Sequence, residues 1–132
     1  MAISLTISQR ELARQAAEAF EGQTFKLFLA TQGSLTAESD LTAWEAAEVS
    51  GNGYAAITGT IGTGSYSTTN ARYELPAISG TFTATGSGFT YDTVVLAIGS
   101  ATGVHSINVE SPSITLAASQ SKSYTLTLAQ DD

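Results

Sequence analysis

The chain has 132 residues, no cysteine and a formal charge of −7, from twelve acidic against five basic side chains. That length suits one domain able to remove roughly two thirds of its unfolded surface from water, so an ordinary core is possible without covalent staples. The missing cysteine excludes disulfides and thiolate metal ligands, and the acidic balance argues against nucleic acid as a partner, because neutralising phosphates requires a basic surface.

Residues 1–10 lack the basic-then-apolar order of an export signal, and no apolar run approaches the length of a membrane span. The expectation is a soluble protein made in the cytoplasm, with no membrane partner. Ile3, Leu5 and Ile7 alternate with Ser4 and Thr6, the period of a short strand or an extended arm. Ser8 and Glu11 then have the Ser-x-x-Glu spacing of a capping box, in which each side chain satisfies an N–H at the start of a helix, and they predict a helix over 9–20. Its stripe of Leu12, Ala16 and Phe20, joined by Ala13 and Ala17, suits packing on the chain's own sheet or docking on another subunit. Gly22 is the expected stop.

Residues 24–31 place Phe25, Leu27 and Leu29 on one face and Phe28 on the other, predicting a core strand broken at 32–34. Ser39 or Asp40 offers an N-cap for a short helical turn containing Leu41 and Trp44. Trp44 is expected to plug one end of the core; as a sugar-stacking platform it would lack convergent polar groups. Ser50-Gly51-Asn52-Gly53 is the clearest turn signal, since Asn and Gly tolerate positive φ, and a strand over 54–61 follows it.

Residues 62–70, small and rich in hydroxyls, read as a surface loop. A strand over 72–75 ends at Pro76, and residues 80–85 alternate Thr81, Thr83 and Thr85 against Phe82 and Ala84. After a turn at 86–88 comes 91–99, holding the longest unbroken apolar run, Val94 to Ile98. Its two leading β-branched residues predict the central strand, covered on both faces. Beyond a turn at 100–103, residues 104–109 form an imperfect strand and Pro112 marks a strand start or an edge. Ile114 and Leu116, then Tyr124, Leu126 and Leu128, give a terminal pair of half-buried strands with a turn at 119–122. The fold expected is mainly β: a single antiparallel β-sandwich or jelly-roll-like domain over 23–132, an arm and helix over 1–22, and one short helical turn.

Little in this chain looks like reaction chemistry. His105 is the sole histidine, expected at the surface or a loop edge, and neither placed partners nor a Gly-x-Ser-x-Gly elbow accompany it. Glu38, Asp40, Glu45 and Glu48 cluster without the spacing of a calcium loop and read as a solvated acidic helix face. Glu18 and Glu21 read as solvated rather than paired for glycoside hydrolysis. The glycines form no phosphate-cradling motif. No enzyme, cofactor or metal is expected. Tyr66, Tyr73 and Tyr91 read as rim packing, with a carbohydrate-binding adhesin as the functional alternative.

The order of elements resembles that of small tailed-bacteriophage virion proteins. The likeness runs over residues 24–128. It comprises the early strand at 25–31, a helical turn, and an acidic residue with a Gly-x-Gly-Tyr segment, matched by Glu48, Val49, Ser50, Gly51, Asn52, Gly53 and Tyr54. Then come the Thr/Gly/Ala-rich strands, the Val-Val-Leu run at 94–96, and the pair Ile114 to Leu116 and Tyr124 to Leu128. One departure is Ala56, where such relatives often carry a basic residue. The resemblance implies a virion structural protein, foremost a capsid decoration or cement subunit that stabilises the phage head, with a tail, neck or fibre component as the alternative. Its implied partners are copies of itself in a homo-oligomer and other virion proteins such as the major capsid protein, within a virion assembled in the host cytoplasm. Ile3, Leu5, Ile7, Leu12, Ala16 and Phe20 are the expected oligomer or capsid contact, because an alternating arm and an alanine-striped helix can be buried by a neighbour at little steric cost.

Overall fold

The computed structural model describes Glu11, Arg14, Gln15, residues 18–99 and 102–126, and the backbone of 129–131. The protein is mainly β with antiparallel pairing. In chain order the elements are β1 (Thr24–Ala30), α1 (Leu41–Ala46), β2 (Ile57–Thr60), β3 (Ser65–Ser67), β4 (Arg72–Glu74), β5 (Ile78–Thr83), β6 (Phe89–Ile98), β7 (Ser106–Leu116), β8 (Ser121–Leu126) and β9 (Ala129–Asp131). The described residues fall into two compact units. The larger is built from Thr24–Gly59 and Ser79–Tyr124; the smaller takes the chain up to Gln23, Thr60–Ile78 and the chain from Thr125.

The larger unit is organised by β6, which lies between β1 and β7 in a sheet of order β2-β1-β6-β7. Every residue from Thr93 to Ile98 is buried, as the unbroken apolar run predicts. Its partner β1 runs antiparallel, setting Phe28 against Val95 and Leu27 against Leu96. On one face Phe28, Ala30, Val95 and Ala97 form a cluster closed by Trp44 of α1, whose Nε1–H donates to the Thr36 carbonyl at 3.0 Å. The buried indole thus packs in the core and is withdrawn from any sugar. A second, two-stranded sheet pairs β5 with β8. Thr81 and Thr83 meet Ser123 and Ser121 across it, each hydroxyl pair at 2.7 Å, while Phe82 points inward and is buried.

Several boundaries differ from the sequence reading. The strand expected over 54–61 starts only at Ile57, because the Tyr54 N–H closes the preceding turn on the Gly51 carbonyl at 3.1 Å. The runs expected as separate strands around Pro112 are one strand, β7. It bulges there: Tyr91 opposes Ile114 and Thr93 opposes Val109, so one β6 residue faces four of β7 between these pairs. A proline has no N–H to offer a ladder, and β7 tolerates it as the outer strand of its sheet. Nor are the last two runs partners, since β7 stays on β6 while β8 turns away to β5.

In the smaller unit the expected surface loop contains β3, which pairs with β4, and β4 in turn takes β9 on its other side. Gly22 donates to the Ile61 carbonyl at 2.8 Å, and Ile61 donates back to Gln23 at 2.9 Å. The Gly64 N–H donates to Glu21 Oε1 at 2.8 Å, so Glu21 is bound rather than solvated. Of the helix predicted over 9–20, Glu11, Arg14, Gln15 and Glu18 have helical backbone, and Arg14 pairs with Glu11 and Glu18. That pairing holds the exposed Glu11 carboxyl down at about 2.

The turn before β6 gives a test of this packing. Gly88 has φ +77, and a Cβ there would meet the Leu116 carbonyl oxygen at the end of β7, whereas Gly33 has φ +54 with open space around it. Gly88→Ala should therefore destabilise by more than about 2 kcal/mol and Gly33→Ala by only about 1 kcal/mol. Equal urea midpoints for the two variants would contradict the approach of this turn to β7.

Candidate functional site

Glu48 to Tyr54, the segment that carries the resemblance, folds into a clasp. Gly51, Asn52 and Gly53 all have positive φ, at 77, 53 and 81°, which reverses the chain within three residues. The reversal is pinned: Asn52 Nδ2 donates to the Gly88 carbonyl at 2.7 Å, and Thr85 N–H donates to the Asn52 carbonyl at 2.8 Å. A Cβ on Gly53 would lie 2.7 Å from Thr85 Oγ1, so that position needs a glycine twice over. The turn returns Tyr54 to Glu48. Its hydroxyl donates to Glu48 Oε2 at 2.6 Å and accepts the Leu29 N–H at 3.1 Å.

The other Glu48 oxygen accepts from Lys26 Nζ at 2.9 Å, and Glu45 stands 3.4 Å from the same ammonium. Lys26 also lies over the Phe28 ring, 4.7 Å from its centroid. Burial works to lower the Lys26 pKa, but Glu48 and Glu45 outweigh it and the net shift is upward. Tyr54 is pushed well above the usual tyrosine value, first by burial and then by the carboxylate it faces. The Glu45 and Glu48 end of the acidic cluster is thus an ion-paired brace on β1, while Glu38 and Asp40 are exposed. Sequence reading missed Lys26, yet a signal was there: one cation within the apolar run Phe25 to Ala30 needs an acidic neighbour.

A second tie has the same chemistry. The buried Tyr91 hydroxyl lies 2.6 Å from the Tyr124 hydroxyl, which donates to Glu110 Oε1 at 3.1 Å. Because Tyr124 gives its only proton to the carboxylate, Tyr91 is the donor of the first bond. Burial raises the pKa of both tyrosines, and the Glu110 carboxylate adds to the shift. The rings close a circuit: Tyr54 stacks on Phe82 at 5.9 Å, Phe82 meets Tyr124 edgewise at 6.2 Å, and Phe89 bridges Tyr91 and Tyr54 at 6.4 and 5.7 Å.

The remaining sequence candidates scatter. Tyr91 is 0% exposed, so the adhesin reading loses one of its three rings. Tyr66 and Tyr73 face each other across β3 and β4, both half-buried, and the Tyr73 hydroxyl donates to the Gly64 carbonyl at 3.2 Å. His105 is exposed, with Nδ1 3.3 Å from Ser106 Oγ. Phe20 is half-buried; Ile3, Leu5, Ile7, Leu12 and Ala16 lie outside the described residues. Among the described residues, no three His, Asp or Glu side chains are grouped so as to hold a metal ion, and no helix is long and apolar enough to cross a membrane.

Two measurements probe these ties. Tyr54→Phe keeps the ring and strands the Leu29 N–H and one Glu48 oxygen, so it should cost about 1–3 kcal/mol in urea unfolding; an unchanged midpoint would remove the clasp from the stability of the fold. Above the usual tyrosine value of 10.0, the unfolded chain loses phenolic protons that folded Tyr54, Tyr91 and Tyr124 keep. Their contribution is therefore complete below that pH and declines as pH rises beyond it. Phenolate absorbance from these three should develop only as circular dichroism is lost; ionisation of all five tyrosines with the dichroism intact would contradict the burial.

No family model, no curated protein and no solved structure matches the chain.

Proposed function

We propose that the chain is a virion structural protein, a capsid decoration or cement subunit that works by assembling with copies of itself and with other virion proteins such as the major capsid protein. The observation that carries this reading is the use made of the segment from Glu48 to Tyr54. Its carboxylate, its amide, its glycines and its phenol all brace the core, binding Lys26, Leu29, Gly88 and Thr85. A likeness carried by such residues is a likeness of scaffold, and a dependable scaffold is what a lattice subunit contributes.

The same reading extends to architecture. The ring circuit linking Phe82 of β5 and Tyr124 of β8 to Phe89 and Tyr91 of β6 supports a two-layer β-sandwich or jelly-roll-like arrangement of the larger unit. Arg14, reaching Glu11 and Glu18 at spacings of three and four, supports the helix over 9–20. We assign the inter-subunit or capsid contact to Ile3, Leu5, Ile7, Leu12, Ala16 and Phe20.

Deleting residues 1–20 tests the assignment while retaining Glu21, whose carboxylate receives the Gly64 N–H. The full chain should sediment with purified phage shells, and the shortened chain should keep its circular dichroism while losing shell binding. A full chain that stays in the supernatant would overturn the decoration role; sedimentation with isolated tails instead would move the subunit to the tail.

A further inference from the structure

The one large apolar side chain exposed among the described residues is Val109, at 44%, and it sits on the outer strand of the main sheet. β7 pairs with β6 along one side, and among the described residues no strand pairs with its other side. Such an edge offers a row of backbone donors and acceptors to any matching strand, and proteins ordinarily guard it with charge, proline or brevity. The half beyond residue 109 is guarded by Pro112 and the bulge. The half from 106 to 109, Ser-Ile-Asn-Val, has neither proline nor charge. The only charged residue of β7 is Glu110, and its carboxylate is engaged by the Tyr124 hydroxyl. The other open edges are shorter: β2 has four residues, β3 and β9 three each, and β5 and β8 six each.

We infer that two copies of this chain join by antiparallel pairing of β7 with β7 across a two-fold axis that passes between their two Asn108 residues. The geometry follows from symmetry. A two-fold axis perpendicular to a sheet keeps each face on its own side, so it must pass midway between the two copies of one residue, and it sets i against j with i + j constant and even. With the two Asn108 residues facing each other across the axis, Val109 of each copy lies beside Ile107 of the other. These two share a face: Ile107 opposes Val95 and packs on the cluster of Phe28 and Trp44, and Val109 opposes Thr93 two residues along. The pairing covers Val109 with an aliphatic neighbour and extends the core cluster across the axis. Each copy carries −7, so two copies repel over much of their surface, and the pairing is confined to this uncharged stretch of edge.

The absence of native cysteine makes the geometry directly testable. Asn108→Cys should put two thiols side by side across the axis, within reach of a disulfide, and mild oxidation should yield covalent dimer at least about tenfold above Ser87→Cys in the exposed turn before β6. Val109→Lys, which places a cation on the edge, should reduce the native mass from dimer to monomer with unchanged circular dichroism. A monomeric parent chain, equal cross-linking of the two cysteine variants, or a dimer that survives Val109→Lys but is split by deleting residues 1–20 would each overturn the pairing. This inference does not rest on the virion role. A dimer that cross-links through position 108 yet ignores phage shells would uphold the pairing and sink only the decoration reading.

Discussion

A strand with no face left for water imposes its requirements on everything near it. From Thr93 to Ile98, β6 is buried on both sides, so both its flanks must be paired and each polar atom on it must find a partner inside the protein. β1 and β7 supply the flanks. Thr93, the buried polar residue of this stretch, donates its hydroxyl proton to Asp92 Oδ1 at 2.8 Å, and that oxygen also accepts the Gln32 N–H at the end of β1. Among the described residues, no buried side-chain nitrogen or oxygen lacks a hydrogen-bond partner. The core is therefore apolar in bulk and fully answered in its polar details.

Around that strand the protein joins distant segments by repeating one device, a phenol donating to a half-buried carboxylate. Glu48 and Tyr54 close a turn onto β1, and Glu110 and Tyr124 fasten β8 to the bulge of β7. A tyrosine suits this use because its ring contributes apolar area while its hydroxyl directs the contact. The rings meet in one circuit, so the two ties are coupled through Phe82 and Phe89. The carboxylates are local, but the packing they orient is shared.

What could be read from the sequence was whatever depends on neighbours along the chain. The apolar run of β6, the alternation of Thr81 and Thr83 about Phe82, the positive-φ turn at Asn52 and the short helix holding Trp44 are all local patterns, and all four were legible. Pairing was not. That β8 would leave β7 for β5 depends on tertiary contacts such as Phe82 with Tyr124, which no local pattern encodes. β7 was split in the reading because a proline normally ends a strand, and only the register across β6 reveals a bulge that absorbs it. The site showed the same division. Glu48, Tyr54 and Tyr124 stood in motifs of the resemblance, whereas Lys26 and Glu110 entered through contacts between residues far apart in sequence. The tyrosines chosen as a glycan platform were grouped by residue type, and the fold buries Tyr91 while setting Tyr66 opposite Tyr73 in another sheet.

Each unit is assembled from separate stretches of chain, and this bears on how the protein is made. The larger unit needs nothing beyond Tyr124, but β4 receives β9 only once residues 129–131 have been synthesised. During translation, which adds residues one at a time at several per second, β3 and β4 must wait as a bare hairpin while more than fifty further residues emerge. A chain truncated between Leu116 and Ala129 would hold every strand of the β6 sheet while the three-stranded sheet lacks a member, so the two sheets become available at different stages of synthesis.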